Sequence, residues 1–93
     1  MANKTVKLTR TGIDKLPNDK PVVYRIQTDT GKTNYVGIAK RGRVQDRLNE
    51  HIDAGKIPGA KVQIQQMPTI EQAQATEARI IARTKPKYND KGK

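Results

Sequence analysis

Glu77 is the residue whose placement most demands a chemical explanation. It lies seven positions after Ile70 in a segment whose apolar residues are Ile70, Ala73, Ile80 and Ile81. At helical spacing it therefore falls in the middle of the apolar face. A carboxylate rarely points into a core unless it is paired with a cation or ligates a metal. A buried arginine would make Glu77 structural, and a divalent cation would make it functional. Arg47 and His51 are a second candidate pair. Four residues apart, they are neighbours on one helix and flank the stripe Val44, Leu48 and Ile52. On its own, such a pair reads as an ordinary helix boundary. Functionally, its guanidinium can fork onto an oxyanion, and its imidazole has the right unperturbed pKa for proton transfer near neutrality. Lys40, Arg41 and Arg43 form a basic, glycine-containing loop just before that helix, and Lys85 and Lys87 stand in the tail. These are candidate phosphate contacts, with solvated surface charge as the plain alternative.

The whole chain favours an anionic partner. It carries 19 Lys and Arg against 9 Asp and Glu, a formal charge of +10 in 93 residues. A phosphate backbone rewards such an excess through counterion release. An anionic membrane is the weaker reading, because no basic amphipathic helix carries large apolar residues. No apolar run reaches transmembrane length, and Met1 to Arg10 lacks the apolar core of a signal peptide, so a soluble, cytoplasmic protein is expected. There is no cysteine and one histidine, which excludes disulfides, thiolate zinc sites and His-rich metal sites. The length implies one domain, near the smallest that folds without staples. Without Phe or Trp, the interior must be filled by Val, Ile, Leu and Ala.

Several elements must position these side chains. Val22, Tyr24 and Ile26 alternate with Val23, Arg25 and Gln27, which suits a half-buried strand. Asp29-Thr30-Gly31-Lys32 is turn chemistry, and Tyr35 to Ala39 returns. Tyr24 and Tyr35, two of the three aromatic residues, thus sit on the two arms of one hairpin. A helix runs from about Arg43 to Ala54, with Gly55 as its C-terminal stop. Lys61 to Met67 alternates as a third strand. Thr69 with Gln72 is a capping-box pattern that opens a helix from about Ile70 to Arg83, and Pro86 cannot continue it. Before the hairpin, Thr5 to Thr9 alternates as a short strand, Thr9 to Gly12 and Pro17-Asn18-Asp19 read as loops, and Ile13 and Leu16 plug one side of the core.

Val22-Val23-Tyr24 and Tyr35-Val36-Gly37, at hairpin spacing, resemble the paired motifs of the GIY-YIG nuclease family, with Val22 where the first motif has glycine. Arg47, His51, Glu77 and Asn89 follow in the order of that family's remaining signature positions. The resemblance covers Pro21 to Asp90, which leaves residues 1–20 as an N-terminal extension and 91–93 as a mobile tail. It implies a compact α+β domain in which a three-stranded, mainly antiparallel sheet is flanked by the two main helices.

The resemblance also assigns roles. Tyr24 would handle a nucleophilic water, with Tyr35 and His51 completing its hydrogen-bond network, and either Tyr24 or His51 would take the proton. Arg47 would bind the phosphoryl group, and helix periodicity favours it over Arg43 in that role. Glu77 would hold Mg²⁺ or Mn²⁺, since a hard cation suits one carboxylate plus waters and substrate oxygens. Gly37 and Asn89 would support the site. The expected function is a divalent-metal-dependent DNA endonuclease that leaves 5′-phosphate and 3′-hydroxyl ends, with weak sequence preference and no obligate protein partner. A non-catalytic nucleic-acid-binding module on the same scaffold and a toxin-type nuclease are the alternatives.

Overall fold

The computed structural model describes residues 3–55, 57 and 59–84. The chain runs β1 (Asn3–Lys7), α1 (Arg10–Asp14), β2 (Val22–Gln27), β3 (Thr33–Ala39), α2 (Val44–Ala54), β4 (Lys61–Gln66) and α3 (Ile70–Thr84). The strands form one sheet in the order β1-β4-β2-β3, with every pairing antiparallel. The α+β class is as expected, but the sheet has four strands rather than three. The added strand is β1, whose Asn3 to Lys7 pair with Gln65 to Lys61. Its alternation is visible in the sequence, but nothing local shows that β4 is its partner.

The β2–β3 hairpin follows from its turn. The Gly31 N–H donates to the Thr28 carbonyl at 2.9 Å, and Thr28 N–H donates to the Lys32 carbonyl at 2.9 Å. Gly31 has φ of 95°, a left-handed conformation that glycine takes without steric cost. Past the turn, Gln27 pairs with Thr33 while Ile26 pairs with Tyr35, so Asn34 is an additional residue on β3. This bulge restores the register in which Tyr24 lies opposite Gly37.

Both faces of the sheet are covered. On one, Val22, Tyr24, Ile26, Val62 and Ile64 pack with Ile13 and Leu16 of the α1 region and with Val44 and Leu48 of α2. On the other, Val23 and Val36 pack with Met67 and Ala73, and the partly buried Ile38, Ile70, Ile80 and Ile81 join them. The expected alternation on β2 is thus incomplete. Val23 is buried as well, because α3 closes the second face of this central strand.

Residues 9–12, read as a loop, instead open the short helix α1. Thr9 is its N-cap, and its side-chain oxygen accepts the Gly12 N–H at 3.0 Å. The other helix signals hold. Thr69 Oγ1 accepts the Gln72 N–H at 3.2 Å, and Gly55, at φ 63°, donates its N–H to the His51 carbonyl at 3.0 Å. No helix among the described residues is long and apolar enough to cross a membrane.

Leu48 is wholly buried where α2 meets the sheet. Leu48→Ala is expected to cost about 2–5 kcal/mol, a large part of the stability of so small a domain. Urea unfolding of the two proteins measures it.

Candidate active site

Tyr24 is fully buried at the middle of β2 and is the largest such side chain among the described residues. Its phenol reaches across to α2 and bonds His51 Nε2 at 2.7 Å. The half-buried Tyr35 completes an aromatic triangle, with ring centroids 6.1 Å from Tyr24 and 5.0 Å from His51, and Tyr24 and His51 lie 5.5 Å apart. Gly37 makes this packing possible. A Cβ there would sit 2.6 Å from both Cζ and Oη of Tyr24 and 3.0 Å from Cε2 of Tyr35. The glycine is needed for space rather than for an unusual backbone angle.

Electrostatics keep the Tyr24–His51 pair neutral at rest. Burial pushes the Tyr24 phenol far above its ordinary range, with Tyr35 next in effect. The Arg47 guanidinium acts in the opposite direction, and the Glu77 carboxylate adds a smaller upward push. His51 is pulled below its usual value, first by burial and then by Arg47, against an opposing contribution from Glu50. At neutral pH the pair is therefore a phenol beside an uncharged imidazole, joined by a short hydrogen bond.

Glu77 is half-buried on α3, between the buried Ala73 and the partly buried Ile80 and Ile81. Its carboxyl pKa is raised by burial. Among the described residues no cation pairs with it, and no group of three or more His, Cys, Asp and Glu side chains gathers there or elsewhere. The arginine partner that would make it structural is absent from the described residues.

Beside the cluster lies an open cleft of about 330 Å³ lined by Ile38, Ala39, Lys40, Arg43 and Arg47. The structure thus brings Lys40, Arg43 and Arg47 to one place. Arg41 is not among them and lines a separate cleft with Asp19, Lys20, Pro21 and Pro68. Asn89, Lys85 and Lys87, and the tail 91–93, lie outside the described residues. Glu50, which sequence reasoning passed over, stands between two of the cations. Its carboxylate is 3.7 Å from Arg43 Nη2 and 3.5 Å from Arg47 Nη1. The signal was available, since Glu50 lies seven and three residues from these arginines on the same helical face.

A tyrosine–histidine pair next to a cationic cleft, on an antiparallel sheet covered by helices, has the makings of a site for phosphodiester chemistry. The comparisons define the class as a nuclease domain, a phosphodiester hydrolase acting on nucleic acid. The model of the GIY-YIG catalytic domain matches residues 20–89, and the chain belongs to the GIY-YIG family. Among solved structures it is similar to the GIY-YIG N-terminal endonuclease domain of UvrC from Thermotoga maritima, bound to its catalytic divalent cation, magnesium. The two share 25% identity at a TM-score of 0.69, over 86% of this chain and 93% of that one. A point mutant of the same domain, also bound to its catalytic divalent cation, matches with 25% identity and a TM-score of 0.69, over 86% and 92%. No curated protein gives a significant match.

Gly37→Ala puts a methyl group into the Tyr24 ring, which is walled in and cannot swing away. It is expected to cost about 1–3 kcal/mol of stability. It should also lower cleavage by about a hundredfold, because the phenol is displaced from His51. Plasmid nicking by protein verified as folded checks this, and near-normal nicking would contradict it.

Proposed function

We propose that the domain hydrolyses DNA in a divalent-metal-dependent reaction, leaving 5′-phosphate and 3′-hydroxyl ends with weak sequence preference. The observation that carries this reading is the 2.7 Å Tyr24–His51 hydrogen bond, set beside a cleft with three cations. A phenol held so far above its usual pKa does not need to ionise first. As water attacks phosphorus, its proton passes to Tyr24 Oη while the phenolic proton moves to His51 Nε2. In this reading Tyr24 is the relay and His51 the final acceptor, supported by their hydrogen bond and by the raised phenol pKa. Tyr35 holds the rings in place, and the Arg47 guanidinium neutralises charge on the phosphoryl oxygens. Lys40 and Arg43 seat the neighbouring phosphates.

Glu77 fits a metal-ligand role. It is a half-buried carboxylate with no cationic partner among the described residues, and a lone carboxylate suits an ion that keeps waters and substrate oxygens. Bound there, Mg²⁺ or Mn²⁺ would supply Lewis acidity toward phosphoryl and leaving oxygens. The magnesium of the UvrC domain supports a divalent cation as the cofactor. A cytoplasmic setting, without a membrane or obligate protein partner, belongs to this reading. So do a single domain centred on residues 21–90 and a supporting role for Asn89.

A panel of single-stranded, duplex and branched DNA, with Mg²⁺ or with chelator, tests the proposal. Cleavage should need the metal, and the products should be joined by ligase without further treatment. Metal-independent cutting or unligatable ends would overturn it.

Glu77→Gln is expected to abolish cleavage while DNA binding persists. The folded state raises the Glu77 pKa, so it binds that proton more tightly than the unfolded chain. The resulting stability is present at low pH and lost as pH rises through the folded value. At neutral pH in chelator, Glu77→Gln should therefore melt no lower than the parent, and a marked fall would mean an essential ion pair.

The pH profile follows from His51. Only the neutral imidazole accepts a proton, so its limb in the rate lies on the acid side of 6.5 and activity is flat above it. Glu50 holds the His51 pKa up, so Glu50→Gln should move that limb to lower pH. Freed from Glu50, Arg43 and Arg47 should also bind DNA more tightly, with a steeper salt dependence.

A further inference from the structure

The segment between β1 and β2 is fastened along α2 at three points. Near the C-terminal end of α2, the Arg10 guanidinium is paired with Asp53. Near its start, Gln45 Nε2 donates to the carbonyls of Leu16 at 2.9 Å and Asp14 at 3.3 Å. At its N-terminus, Asn18 makes two bonds. Its side-chain Oδ1 accepts the N–H of Val44, the first residue of α2, at 2.8 Å. Its carbonyl accepts the N–H of Gly42 at 2.8 Å.

The helix needs this support. The first N–H groups of a helix have no partner within it, and the N-cap residue, Arg43, makes no side-chain capping bond. The cap therefore comes from a different part of the chain. Just before the helix, Arg43 N–H donates to the Lys40 carbonyl at 2.9 Å, closing a turn in which Gly42 has φ of 82°. Asn18 grips this turn and the helix start together. The turn carries Lys40 and Arg43 of the cleft, and the helix carries Arg47 and His51. Asn18 itself stands just ahead of the residues matched by the family model.

We propose that Asn18 is a positioning residue for the nuclease reaction. It holds the Lys40–Arg43 turn and the N-terminus of α2 in one fixed relation to the hairpin, so that the phosphate-binding cations and His51 face the substrate together. The cleavage readout rests on the nuclease reading, and the binding readout does not.

The test uses Asn18→Ala, which removes the side-chain acceptor, and Asn18→Asp, which keeps it and adds charge favourable to a helix N-terminus. Nicking of supercoiled plasmid is measured at temperatures well below each protein's melting point. Binding of a fluorescein-labelled DNA duplex is measured in chelator across a salt series. Asn18→Ala should lose about tenfold or more in nicking rate while still folded, and its log–log salt slope should fall by about one as a phosphate contact is lost. Asn18→Asp should recover the nicking rate. Three outcomes overturn the proposal: folded Asn18→Ala keeps both rate and slope, its defect emerges only on warming toward the melting point, or Asn18→Asp is as impaired as Asn18→Ala. If the parent protein cleaves no DNA with any divalent metal, the nuclease reading fails, and the salt slope of Asn18→Ala still decides the role of Asn18.

Discussion

The structure depends on one contact, the ring of Tyr24 laid against the bare backbone of Gly37. Among the described residues, the largest fully buried side chain is also the one that offers a hydroxyl to the candidate site. Burying a phenol is tolerable only if its hydroxyl is bonded, and His51 meets that need from α2. Packing of the sheet, docking of α2 and placement of the Tyr24–His51 pair are therefore one constraint. The domain has little core to spare, and a single tyrosine both fills it and carries a hydroxyl to the candidate site.

Around that contact, charge is arranged by distance. The chain has a formal charge of +10, yet the two arginines flanking the helix start share the carboxylate of Glu50. These exposed pairs contribute little to stability. They offset part of the positive charge at the mouth of the cleft. Arg47 also bears on both members of the Tyr24–His51 pair, drawing each pKa down. One guanidinium thus both lines the cleft and acts on the buried pair.

Much of this was legible in the sequence, where local rules govern. The turn at Gly31, the stop at Gly55 and the cap at Thr69 were readable because each rests on residues within a few positions. The stripe of Val44 and Leu48, the hairpin tyrosines and the out-of-place carboxylate at Glu77 were readable from period and type. What could not be read is tertiary. The pairing of β1 with β4 joins residues some sixty positions apart, and no local pattern encodes a partner. Val23 alternates like a surface residue and is buried only because α3 closes over it. Arg41 and Arg43 differ by two residues in one basic loop, yet the turn at Gly42 sends them to different clefts. Asn18 looked like loop punctuation, and its partners are 24 and 26 residues away.

The strand order carries a consequence for how the site is put together. β4 lies between β1 and β2, although among the described strands it comes last in the chain. The hairpin bearing both tyrosines closes through near neighbours and can form early, whereas the centre of the sheet waits for a distant segment to thread into place. Until then β1 has no partner, and the face on which α2 docks lacks Val62 and Ile64. The two hairpin tyrosines are thus brought together by local contacts, whereas the seat that α2 and His51 take on the sheet depends on a strand that follows them in the chain.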